Sequence, residues 1–282
     1  MVRLHGAIAA AVTPLRDGGT RIDEHGVERL IGFLAAGGVD GALACGTTGE
    51  GVLLTPGERM RLVDLMMAAR PEGFLVAVHA GAQTTADTVA LAGHAQQVGA
   101  DAVAVIAPPY FPLDDDELFH HLVGAASAAD PLPFYVYEFV GRSGYRTPVA
   151  VVERLCEVGP NVVGMKVSDS PFDEVRPYLL PGLDVFIGSE PLVLEGLEAG
   201  AVGAVSGLAT AWPEVVGRLV HDRDPAAHEQ VTALREGLAG IPFHAALKHV
   251  LVQRGVLLHA DVRAPMRALS ADERSRVDAL LG

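Results

Sequence analysis

Cysteine is almost absent. Cys45 and Cys156 are the two in 282 residues, too few for a disulfide framework, and neither has a nearby partner that would suggest a metal knuckle. Reduced thiols and a cytoplasmic location are expected. Positive charge is also scarce: 21 Lys and Arg stand against 35 Asp and Glu, giving a net charge of −14. That balance excludes nucleic acid and anionic membrane surfaces as partners, because both would be repelled. A small anionic substrate stays possible, since it answers to the local field of its site. Long apolar runs are missing too, and no segment reaches the ~20 residues that span a bilayer. The apolar stretch from Ala7 to Thr13 is short and gives way to a turn-like Pro14-Leu15-Arg16-Asp17-Gly18-Gly19, so it does not read as a signal peptide. Three motifs are absent as well: a GxGxxG after the first apolar run, an HExxH, and a GxSxG around Ser189 or Ser206. Dinucleotide binding, zinc-dependent hydrolysis and serine hydrolysis lose their usual signatures with them.

What is present is apolar and rhythmic. Half the residues are hydrophobic and mean hydropathy is +0.30. Short apolar runs fall at 7–12, 39–44, 74–79, 101–106, 133–138, 162–167, 183–187 and 202–206. Helical patterns are expected between them at 23–36, 56–70, 84–98, 114–129, 148–157, 171–180, 190–199 and 211–222. Thr55-Pro56, Thr84 and the acidic run Asp114 to Glu117 supply start signals. Near-continuous apolar strands alternating with helices imply a parallel sheet covered by helices. Eight such units point to a (β/α)₈ TIM barrel, with a doubly wound open sheet as the alternative. Three further helical stretches, at 225–239, 243–254 and 270–281, predict a C-terminal helical extension. The expected division is a barrel over 1–223 and the extension over 224–282.

Catalytic groups of such barrels stand at the C-terminal ends of the strands and in the loops that follow. That rule gathers Gly46-Thr47-Thr48-Gly49-Glu50 after strand two, His79 after strand three, Tyr137-Glu138 at strand five, Lys166 at strand six and Val205-Ser206 at strand eight. Lys166 ends the apolar run Asn161-Val162-Val163-Gly164-Met165, a costly place for an ammonium group. Desolvation there favours the free amine, which can attack a carbonyl carbon. The alternatives are a lysine paired with Glu138 or Asp169, or one that snorkels outward, and position alone leaves these open. Tyr137, one strand away, can shuttle protons or can be an aromatic core residue. The Gly46-to-Gly49 loop offers hydroxyls and approachable backbone N–H groups to a carboxylate, and Arg142 can fork onto another. His79 is expected to be a satisfied polar residue. His5, His25, His94 and His120-His121 lack ligand spacing, so no metal site is expected.

Four stretches in order, GTTGE at 46–50, PPYF at 108–111, YEFVGRSGY at 137–145 and GMKVSDS at 164–170, resemble the dihydrodipicolinate synthase and N-acetylneuraminate lyase family of class I aldolases. The likeness runs from AAAVTPL at 9–15 to the helical tail. It implies a (β/α)₈ barrel with a C-terminal helical extension, assembled as a tetramer or dimer, and a reaction that needs no metal or organic cofactor. It also implies a Schiff base between Lys166 and pyruvate or another 2-oxo acid, with Tyr137 and Thr47 in a proton relay. Thr48, Val205, Arg142, Gly46 and Tyr110 become the substrate-binding set. The expected partner is a small molecule, pyruvate plus an aldehyde or the corresponding keto-deoxy sugar acid. Narrower and different alternatives are 4-hydroxy-tetrahydrodipicolinate synthesis and a 2-oxo-acid-binding regulatory protein. Two departures bear on substrate: Glu138-Phe139-Val140 replaces the synthases' Asn-Val-Pro, and Phe111 aligns with the tyrosine that a neighbouring subunit contributes, with Tyr110 just before it.

Overall fold

The computed structural model describes residues 3–281. Eight parallel strands close into a barrel: β1 (Gly6–Ala10), β2 (Gly41–Ala44), β3 (Leu75–His79), β4 (Ala102–Ile106), β5 (Phe134–Glu138), β6 (Val162–Val167), β7 (Asp184–Ile187) and β8 (Gly203–Ser206). Each pairs with its neighbour in chain order and β8 returns to β1. They are the eight expected runs, shifted by at most two residues at an end. The strands are apolar along their whole length because both faces are covered. Ile8, Leu43, Ala77, Ala104, Tyr135, Phe186 and Val205 fill the interior, while Val103, Val105, Val136 and Met165 face outward into the core beneath the helices.

Between the strands lie α1 (Glu24–Ala36), α2 (Pro56–Ala69), α3 (Thr85–Gln97), α4 (Asp115–Ala129), α5 (Val149–Val158) and α6 (Val193–Glu198), and α7 (Pro213–His221) follows β8. The start signals do what they promise. Thr55 and Asp114 form reciprocal capping boxes with Glu58 and Glu117, and Thr84 accepts from the Asp87 N–H.

Three expectations change. The helix predicted at 171–180 is two single 3₁₀ turns, Phe172–Glu174 and Arg176–Tyr178. Pro177 has no N–H to give and its ring clashes with the carbonyl four residues back, which breaks a continuous helix there. Ahead of α6 the backbone makes one 3₁₀ turn, Glu190–Leu192. The turn near residue 17 is the tip of a small antiparallel ladder, Leu15–Arg16 with Arg21–Ile22, hidden from periodicity because each strand has only two residues. After α7 come α8 (Pro225–Gly237), α9 (Phe243–Gln253) and α10 (Ala271–Asp278). No helix among the described residues is long and apolar enough to cross a membrane.

One irregularity sets the phase of β6. Phe134 pairs with Val162 but Tyr135 pairs with Gly164, so the register slips by one and Val163 is extra. Gly164 is required where it stands, since a Cβ there would fall 2.2 Å from the Asp184 carbonyl oxygen and 2.6 Å from the Tyr135 ring. From that point the alternation turns Met165 outward and leaves Lys166 on the inner side, in register with Tyr137 of β5 and Phe186 of β7.

Candidate active site

Lys166 Nζ lies 4.0 Å from the centroid of the Tyr137 ring, and the Tyr137 hydroxyl is 3.2 Å from Thr47 Oγ1. Three strands therefore deliver an amine, a phenol and an alcohol to one mouth. Lys166 is buried, and among the described residues it has no ion-pair partner. The two acids that could have paired with it are engaged elsewhere. Glu138 faces outward and accepts the Thr147 N–H at 3.0 Å, and Asp169 accepts the Val140 N–H at 2.9 Å. Burial raises the Glu138 carboxyl to about 7, opposed by the Thr147 hydrogen bonds and assisted by Asp169. Asp169 is raised as well, first by burial.

The threonine loop is held in a bent form. Cys45 and Glu50 take left-handed conformations, with φ of 58° and 59°, which residues other than glycine adopt only when the surroundings dictate it. Those surroundings are specific. Thr13 Oγ1 donates to the Gly49 carbonyl at 2.5 Å, and His244 Nε2 on α9 donates to the Thr47 carbonyl at 2.9 Å. The Glu50 carboxylate pairs with Lys248 of α9 and accepts the Arg263 N–H at 2.7 Å. The C-terminal helices thus fix the loop that carries Thr47. Sequence reading missed His244, Lys248 and Arg263, since nothing local links them to a loop some 200 residues earlier.

Of the expected substrate-binding residues, Gly46 and Arg142 line a mouth cavity of ≈ 490 Å³, together with Thr47 of the expected relay. Arg142 sits on the single helical turn Val140–Ser143, its guanidinium 5.2 Å over the Phe139 ring. Val205 lines the small apolar space beneath Lys166. Thr48 is buried, and its Oγ1 stands so close to Gly207 that a Cβ there would lie 3.3 Å away. Tyr110 does not join them: it is 84% exposed, stacked edge-to-face on Phe111 at 4.8 Å, with φ +86°. Pro109 lines the mouth in its place.

His79 corrects its expectation. The Cys45 carbonyl can only accept, so His79 Nδ1 carries the proton of their 3.2 Å hydrogen bond, while Nε2 is buried without a partner among the described residues. Burial, Arg59 and Lys166 pull its pKa down to about 3. The ring is neutral, half satisfied, and edge-on to Tyr137 at 5.7 Å.

A sequence model of the dihydrodipicolinate synthetase family matches residues 3–282. The chain belongs to that family. An uncharacterized DapA-like lyase of Halobacterium salinarum is 33% identical over 98% of this chain and 92% of its own length. A 4-hydroxy-tetrahydrodipicolinate synthase of Listeria innocua is 28% identical, covering 97% and 96%. Among solved structures, the N-acetylneuraminate lyase of Proteus mirabilis superposes with a TM-score of 0.89 at 27% identity, over 99% of this chain and 98% of that one. At family level the chain is a dihydrodipicolinate synthetase-type lyase on a (β/α)₈ barrel with C-terminal helices.

Proposed function

We propose that this chain is a Schiff-base-forming lyase or aldolase. It condenses pyruvate with an aldehyde, or cleaves or dehydrates a keto-deoxy sugar acid, through an imine on Lys166. The observation that carries the reading is Lys166 itself, buried at a barrel mouth without a carboxylate partner and in strand register with Tyr137, whose hydroxyl reaches Thr47.

Nζ of Lys166 attacks the C2 carbonyl of the 2-oxo acid, and the carbinolamine loses water to give a protonated imine. The imine withdraws electrons, so C3 can lose a proton to form the enamine that attacks an aldehyde carbonyl; cleavage runs the same steps in reverse. Tyr137, with Thr47 behind it, moves the protons of carbinolamine and aldol steps. Thr48 and the backbone from Gly46 hold the 2-oxo acid carboxylate, and Val205 closes the floor through its main chain. Arg142 is the cation for a carboxylate on the second substrate. Tyr110, exposed on a left-handed backbone, suits a role at the mouth of a neighbouring copy better than in its own, consistent with a dimer or tetramer.

The test is incubation with pyruvate and borohydride followed by intact mass and tryptic mapping. The chain contains two lysines, Lys166 and Lys248, so side-chain adducts have two possible addresses. A reduced pyruvyl adduct on Lys166, lost in Lys166→Ala, is expected. Absence of the adduct in the wild type, or its persistence in the variant, overturns the reading.

A further inference from the structure

His79 is the buried polar group at the mouth that the proposed chemistry leaves unused. It ends β3, is 3% exposed, and lines the same cavity as Thr47 and Arg142. Its tautomer follows from its one bond: with the Nδ1 proton committed to the Cys45 carbonyl, a neutral ring presents a bare lone pair at Nε2. No donor among the described residues reaches that lone pair, although leaving a buried acceptor unpaired is costly. Position 81 is glycine, and a Cβ built there would fall 2.9 Å from Nε2, so a side chain at 81 would crowd the nitrogen.

Resting on the imine reading of Lys166, we propose that His79 is a specificity-determining residue whose Nε2 accepts a hydrogen bond from a hydroxyl of the second substrate. The chain then acts on a hydroxylated aldehyde, or the hydroxylated arm of a keto-deoxy sugar acid. The alternatives meet the wrong partner. A carboxylate or a bare carbonyl would set lone pair against lone pair. An ammonium group could donate, but it would sit in the positive field of Arg59 and Lys166, which already resists a proton on His79 itself. A hydroxyl donates without bringing charge. A site built around such a bond discriminates against the analogue that lacks the hydroxyl, because the acceptor is then buried unpaired.

The experiment pairs two three-carbon aldehydes, glyceraldehyde and propionaldehyde, each with pyruvate and the intact protein. Wild type is expected to favour glyceraldehyde in kcat/KM. His79→Leu lowers kcat/KM for glyceraldehyde about 10-fold, mainly through KM, with a smaller change for propionaldehyde, and His79→Gln, which restores an acceptor, recovers part of the loss. In parallel, ¹⁵N-histidine NMR of the pyruvate-loaded protein should show the His79 Nε2 resonance moving with glyceraldehyde and staying with propionaldehyde. Equal losses for the two aldehydes in His79→Leu, or an Nε2 resonance indifferent to glyceraldehyde, overturn the proposal. Borohydride trapping separates this from the underlying reading: the adduct on Lys166 forms in wild type and in both His79 variants if the imine reading holds, whatever His79 recognises.

Discussion

The chain's two lysines are both buried and could hardly be surrounded more differently. Lys248, on α9, pairs with Glu50 and donates to the Asp261 carbonyl at 2.6 Å. Lys166, at the end of β6, has neither an ion pair nor a hydrogen bond among the described residues and rests against the Tyr137 ring. Burial of a charged side chain demands a partner or a function. Lys248 has the partner and ties the C-terminal helices to the threonine loop. Lys166 lacks one and stands beside a phenol and an alcohol suited to proton transfer. Surroundings, not residue type or depth, set the two lysines apart.

The sharpest way to break this contrast is to remove each lysine in turn. Lys166→Ala should abolish turnover, by about 10⁴-fold or more, and eliminate the pyruvyl adduct. Its thermal stability should stay within about 1 kcal/mol of wild type, because no buried acid is orphaned. Steady-state kinetics and calorimetry on the same sample check both halves, and a large loss of stability would show Lys166 to be structural. Tyr137→Phe should lower kcat by about 10²- to 10⁴-fold while the adduct on Lys166 still forms, more slowly. Unchanged kcat would remove Tyr137 from the relay.

Lys248→Met should do the reverse of Lys166→Ala and destabilise by about 3–5 kcal/mol, since the Glu50 carboxylate is left buried and unpaired. Adding Glu50→Gln should recover part of that loss in chemical denaturation. If the double variant is no more stable than the single, the pair does not tie α9 to the threonine loop.

The smallest effect concerns Glu138, the acid that does not pair with Lys166. Its carboxyl is raised to about 7 in the fold, so the folded chain binds more protons than the unfolded chain between the ordinary carboxyl range and pH 7. Stability from this group therefore falls as pH rises through that window, and above pH 7 the cost is complete. Glu138→Gln, which cannot ionise, should gain on wild type from pH 5 to pH 8 by on the order of 1–3 kcal/mol and stay level beyond. A constant gap across that range, measured by denaturant unfolding, would remove Glu138 from the titration.

Much of the fold was legible in the chain. Eight apolar runs became eight strands because a parallel barrel buries both strand faces, and caps such as Thr55 and Asp114 work through neighbours three residues away. Where expectation failed, the reason is physical. Pro177 broke the helix after β6, and the ladder at Leu15–Arg16 was too short to show a period. In the candidate site, strand-end residues were visible from position alone. His244, Lys248 and Arg263 were not, because their partners in the threonine loop lie far away in sequence. The sequence predicts a satisfied His79; the tertiary structure bonds one nitrogen and leaves the other bare among the described residues.

The sequence by itself determined that an apolar run carries a lysine to the C-terminal end of a sixth strand, next in order to a strand that ends with a tyrosine. Alternation repeats every two residues, so one slipped residue exchanges the inner and outer faces. Whether Lys166 would meet Tyr137 or the helices was thus decided by the tertiary structure alone, where the extra Val163 and the side-chain-free Gly164 reset the phase against Tyr135 and Asp184.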